Sequence, residues 1–222
     1  LGVLQRIGIC YFVSSIIVLK NDIRNIVKIT IALLIGYWGL MEIFGIYHGI
    51  DPYTLQTNII LAFDKLLLGE SHLYKGMGIP FDPEGILSTI PSIATTNFGF
   101  LVGTMMITNK KIKDNIKRMI VLGLGSLLIG LFWGILMPIN KQLWTSSYVM
   151  FTAGIATLFI SFMIYIIDIK NYRIVAKSLA VLGSNSIFLF IISGIWTKIL
   201  LKIDFQFNES VVNGYYYLYK TV

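Results

Sequence analysis

Five short polar stretches interrupt an otherwise apolar chain, and they carry the side chains able to do chemistry. Asp82-Pro83-Glu84-Gly85 sets two carboxylates at the mouth of a segment with more than twenty uncharged residues. A carboxylate placed there can orient a polar substrate or take a proton from it. The same residues also suit a helix start, with Asp as N-cap, Pro at the first helical position and Glu near the positive helix end. The two uses are compatible. His72, in LLLGESHLYKG, is the best general-base candidate by its titration range, and is otherwise a solvated loop residue. Gln5 and Arg6 lie in LGVLQRIGICYF, with the arginine about 9 Å into an apolar run. Such an arginine either snorkels to the near surface or faces a cavity or a partner. Asn140-Lys141-Gln142-Leu143-Trp144 follows Pro138, which stops a helix. Trp144 is placed there as an interfacial anchor, and Lys141 is a lone cation able to pair with Asp82 or Glu84. Asn185, in LGSNSIFLF, is a helix cap or a cofactor contact. His48 follows a helix end and reads as an interface residue.

The elements that must position these groups are membrane helices. The 222 residues are 56% hydrophobic and 13% charged, with mean hydropathy +0.77. A soluble domain carries about 25% charge. Half that charge, with long apolar runs, places the chain in the membrane class. Its one cysteine, Cys10, excludes an internal disulfide, and its two histidines leave little scope for a metal site. No phosphate-binding, zinc-protease or serine-hydrolase motif occurs. A span needs about 20 apolar residues. Six stretches qualify, at 1–19, 29–46, 85–107, 119–137, 145–167 and 182–201. The expected fold is therefore an all-α polytopic membrane bundle forming one transmembrane domain over 1–222, with a long loop at 47–84 and a partial last helix. Both ends look cut.

Charge sorting sets the expected topology. Eleven of the 18 basic residues fall in loops 20–28, 108–118 and 168–177. Seven of the 11 acids fall on the opposite side. The basic loops belong in the cytoplasm, which puts residue 1, the 47–84 loop and the Pro138–Leu143 turn outside. This bias also explains the net charge of +7 without nucleic acid. Within the long loop, Asn58–Leu68 reads as a short surface helix. Gly99 with Gly103 and Gly130 with Gly134 form GxxxG pairs suited to close helix packing. No ionisable residue lies clearly at a midplane, which counts against an ion-coupled transporter.

LGVLQRIGICYF, FDKLLLGESHLYKG, FDPEGILSTIPSIATT, MPINKQLWTSSYV and VLGSNSIFLF occur in this order. Together they resemble the membrane domain of heparan-α-glucosaminide N-acetyltransferase and its bacterial relatives, over about residues 1–205. The resemblance implies a polytopic acyltransferase. It would take acetyl from cytoplasmic acetyl-CoA and give it to the amino group of a glucosamine-type sugar across the membrane. It also implies further helices before the LQR motif, with the family's catalytic histidine among them. Neither His48 nor His72 inherits that role.

Amine acylation needs a base for the amine and a donor or cation at the thioester oxygen. Among the residues present, apart from that upstream histidine, His72, Asp82 and Glu84 are the catalytic candidates of this chain. Gln5, Arg6 and Asn185 are candidates for acetyl-CoA, and Asn140, Lys141 and Trp144 for the sugar. No metal is implied. Expected partners are membrane lipid and an amino-sugar or glycan acceptor, with a homodimer possible and no nucleic acid. A bacterial inner membrane is the expected location. The alternatives are an O-acyltransferase of a surface glycan and a non-enzymatic transporter or scaffold.

Overall fold

The computed structural model describes residues 2–76, 78–108, 111–207 and 210–221. Lys110 and Glu209, used in the charge sorting, lie outside them. The chain is an all-α polytopic membrane bundle. Among the described residues, five helices are long and apolar enough to cross a membrane: α1 (Val3–Lys20), α2 (Ile23–His48), α4 (Thr89–Thr108), α5 (Ile112–Leu136) and α6 (Ser146–Ile164), the last continuing through a π-helical turn at Tyr165–Ile169. Between α2 and α4 lie α3 (Ile59–Leu68) and a 3₁₀ turn at Glu70–His72. The chain divides into two compact units, one ending at Ile164 and the other beginning at Tyr165.

In the first unit the spans turn much of their apolar surface outward. Leu19, Ile46, Phe132 and Ile135 are all largely exposed, as lipid-facing side chains are. Close packing is concentrated in two places. The first is the α5–α6 pair, where a Cβ on Gly130 would meet the Phe151 backbone nitrogen at 2.5 Å, and one on Gly154 would meet that of Leu127 at 2.6 Å. Small residues here allow the backbones to touch. Gly99 and Gly103, expected to do the same on α4, meet nothing within 4 Å among the described residues.

The second place is the loop end of the bundle. Tyr37 and Met41 of α2, Ile60 and Leu61 of α3, Leu73 and Phe81 of the long loop, and Met137 and Leu143 beyond α5 form one buried cluster. The Asn58–Leu68 segment is a helix, as expected. Asn58 caps it by accepting from the Leu61 N–H at 2.8 Å. It is only partly a surface helix, because Ile60 and Asp64 are buried while Leu66 and Leu67 are exposed.

The second unit holds α7 (Arg173–Ser184), α8 (Ser186–Lys202), a hairpin of β1 (Asp204–Phe207) with β2 (Ser210–Asn213), and α9 (Gly214–Thr221). The span expected at 182–201 is α8, which starts later. At 17 residues it is shorter than all five spanning helices and is not among them, so the sixth expected span is not found at full length among the described residues. Asn185 sits at the start of α8, but its side chain donates back to the Val181 carbonyl at 2.8 Å and caps nothing. The small hairpin has no counterpart in the expected fold.

Candidate functional site

Arg6 organises the loop end. Its place near the start of α1 suggested snorkelling as one possibility. The structure instead buries it, at 5% exposure. One terminal nitrogen donates to the Pro83 carbonyl at 2.8 Å. The other donates to the Ser88 carbonyl at 2.6 Å and to the Ser92 hydroxyl. The guanidinium carbon also lies 4.3 Å from the centre of the Trp144 ring. A planar fork suits this combination of several acceptors and one aromatic face. Nε has no hydrogen-bond partner among the described residues.

Trp144 is therefore not simply a surface anchor. Its ring is only half-buried, yet it covers the guanidinium and donates through Nε1 to Thr95 at 3.2 Å. Its backbone is left-handed, with φ 51°, which is an outlier for a bulky residue. The turn around it holds that conformation. Asn140 Oδ1 accepts from the Gln142 N–H at 2.8 Å and the Leu143 N–H at 3.3 Å. Thr145 donates to the Pro138 carbonyl at 2.9 Å. Tyr37 of α2 donates to the Leu143 carbonyl at 2.5 Å, and Ser146 to the Leu34 carbonyl at 2.7 Å.

Asp82-Pro83-Glu84-Gly85 does not cap α4, contrary to the sequence expectation. The helix begins at Thr89, and residues 82–88 form successive turns. Asp82 Oδ1 accepts from the Glu84 N–H at 3.0 Å, and the Gly85 N–H donates to the Asp82 carbonyl at 3.0 Å. The Asx-type turn consumes the side chain that was expected to cap. Pro91 falls in the first turn of α4, where its missing N–H is tolerated.

These elements line an open cavity of about 300 Å³. Arg6, Cys10, Glu84, Ser92, Thr95 and Trp144 are on its wall. Three of the residues singled out in the sequence, from three separate motifs, thus meet at one place. A second cavity, of about 370 Å³, shares Tyr11 and Thr96 with the first and continues between α1 and α4 past Ser14 and Ser15.

Other candidates stand apart. His72 is exposed on its 3₁₀ turn, with Nδ1 2.9 Å from the Leu68 carbonyl, and is not on the cavity wall. Gln5 is exposed and accepts from the Gly2 N–H at 2.9 Å, as the start of α1 requires. Asn140 shapes the turn, and Lys141 is exposed and forms no ion pair among the described residues. Asn185 belongs to the second unit. His48 is exposed and contacts Phe44 and Tyr47.

Two features escaped the sequence reading. Asp64 is buried on α3 and accepts from the Ile86 N–H at 3.1 Å. Its signal was available, since it follows Ile60 by one helical turn and so falls on the buried face. Burial pushes its carboxyl above the usual range, as does nearby Asp82, while the Ile86 N–H acts in the opposite direction. Glu42 accepts from Trp38 at 3.1 Å and from the Tyr53 hydroxyl. Burial and this carboxylate together push Tyr53 well above the ordinary tyrosine range.

No protein-family model matches the chain. Two curated relatives do match. The chain is 28% identical to the mouse and human heparan-alpha-glucosaminide N-acetyltransferases, over 77% of its own length in both cases. It is a distant relative of this family. The chain spans about a third of the length of these relatives, 33% of each. Both are acetyltransferases by name, so the relationship supports an acyltransferase at the family level.

Proposed function

We propose that this chain forms part of a membrane acetyltransferase that moves acetyl from acetyl-CoA to the amino group of a glucosamine-type sugar. The observation that carries this reading is the cavity where Arg6, Glu84 and Trp144 meet. It combines a cation, a carboxylate and an aromatic ring in a largely apolar wall, at a size near the lower end for small-molecule sites. The distant relationship supports the reaction class.

In such a transfer the free amine attacks the thioester carbonyl carbon. A C–N bond forms, the C–S bond breaks and the CoA thiol leaves. The amine must lose a proton, and the oxyanion must be met by fixed donors. Arg6 is already fixed by its carbonyl partners and Trp144, so it needs little reorganisation to present positive charge, and its Nε is an available donor. Glu84 is the carboxylate of this chain placed to hold the ammonium form of the acceptor or to accept its proton. Asp82 acts on the backbone of the turn. His72 is a candidate for acceptor contacts away from this cavity. The charge sorting supports placing the DPEG and NKQLW loops on the non-cytoplasmic face, and the resemblance adds acetyl-CoA on the cytoplasmic face of a bacterial inner membrane.

The test is acetyl transfer by the full-length protein in proteoliposomes loaded with amino sugars and supplied with labelled acetyl-CoA outside. Labelled N-acetyl sugar is the expected product. Absence of label from every amino sugar would sink the reading, and label on a hydroxyl alone would reassign the protein as an O-acyltransferase. Glu84→Gln is expected to lower kcat more than His72→Ala does, at equal folded yield.

A further inference from the structure

We propose that Asp64 positions the DPEG turn against the cavity, an assignment that rests on the functional reading of that cavity given above. Asp64 is 1% exposed. A carboxylate so far from water is expected to be fully partnered. Oδ1 has its partner in the Ile86 N–H, at 3.1 Å. Oδ2 has none among the described residues. It nevertheless lies against Gly85, so closely that a Cβ on that residue would overlap it. The carboxylate therefore holds the chain at two consecutive residues, one by hydrogen bond and one by contact.

Those two residues directly follow the ones that build the site. Glu84 is on the cavity wall, and the Pro83 carbonyl receives the Arg6 guanidinium. Fixing Gly85 and Ile86 consequently fixes the direction in which Glu84 leaves the turn and the place where Arg6 finds its acceptor. The post itself is firm. Asn58 caps α3 and also donates to the Thr54 and Leu55 carbonyls at 2.7 and 3.0 Å, while Ile60 and Leu61 are in the buried cluster. A helix anchored this well transmits position through the one polar side chain that it turns toward the site. Asp64 is absent from the cavity wall, so its action on the chemistry is through Pro83 and Glu84.

Cys10, the chain's only cysteine and part of that wall, provides a reporter that needs no turnover. The full-length protein in nanodiscs is treated with N-ethylmaleimide, and modification of the Cys10 peptide is followed by mass spectrometry. Size-exclusion yield reports folding. Asp64→Ala is expected to change the Cys10 rate roughly tenfold, the effect of releasing one hydrogen bond to a charged group. It is also expected to raise KM for the amine acceptor more than it lowers kcat. Asp64→Asn keeps a carbonyl oxygen for Ile86 and is expected to stay close to wild type in both measurements. A Cys10 rate unchanged in folded Asp64→Ala overturns the assignment, and so does an Asp64→Asn protein that behaves like Asp64→Ala. Because alkylation is independent of acetyl transfer, a shifted Cys10 rate in a protein that acetylates nothing keeps the positioning role and discards the enzymatic reading.

Discussion

At the scale of single residues, Arg6 and Trp144 form the unit on which the cavity depends. Arg6→Lys keeps the charge but loses the planar fork, whose two separate terminal nitrogens reach Pro83 on one side and Ser88 and Ser92 on the other while the plane lies against Trp144. Each hydrogen bond from a charged group contributes about 1.5–3 kcal/mol, so acetyl transfer should fall at least roughly tenfold in the lysine variant. Full activity in Arg6→Lys would refute the geometry. Trp144 needs a different control because its backbone is left-handed. Trp144→Gly removes the ring and also relieves backbone strain of about 1–3 kcal/mol, so it understates what the ring contributes, whereas Trp144→Phe compares like with like. Asp64 gives a pH signature. Its carboxyl titrates above its unfolded range, so its protonated form favours folding at low pH and that contribution is lost as pH rises through the raised value. The melting temperature of wild type relative to Asp64→Asn should therefore decline as pH increases above about 4, and a flat difference would contradict it. Much at this scale was legible. An arginine inside an apolar run marked a residue worth following but left snorkelling and burial both open, and nothing in LQR says that its acceptors are the carbonyls of Pro83 and Ser88.

At the scale of elements, the most informative departure is the DPEG turn. Asp, Pro and Glu before an apolar run make a strong local helix start, and the sequence reading placed the helix there. Tertiary contacts decide otherwise. Asp82 closes its own turn on Glu84, and Asp64, eighteen residues earlier, takes the Ile86 N–H, so α4 begins only at Thr89. A partner so distant in sequence leaves no local trace in 82–85. Gly85→Ala puts a methyl into the Asp64 carboxylate and against Ile60. Overpacking of this kind costs about 1–3 kcal/mol. The variant should lose both folded yield and activity, and part of the loss should return in the Gly85→Ala, Asp64→Ser double variant. Strict additivity of the two substitutions would show that the contact is unimportant. GxxxG spacing was a weaker guide. It found Gly130 but also named Gly99 and Gly103, and it missed Gly154, because spacing alone does not say which neighbour a helix face meets.

At the scale of the whole molecule, hydropathy made the membrane bundle plain, since spans in lipid must be apolar nearly all round. It gave no sign of where close packing lies. The tight core is at the loop end, where residues of the long loop meet residues of the spans. That arrangement has a consequence for synthesis. Leu73 and Phe81 leave the ribosome well before Met137 and Leu143, the residues against which they pack. The loop can meet Tyr37, Met41, Ile60 and Leu61 early, but its cluster stays incomplete until α5 has been inserted and the turn after it has emerged. Chains arrested on the ribosome before residue 137 should be cut readily by added protease within 49–88, and chains long enough to expose residue 145 should resist. Equal protection of both would mean that the loop folds on its own.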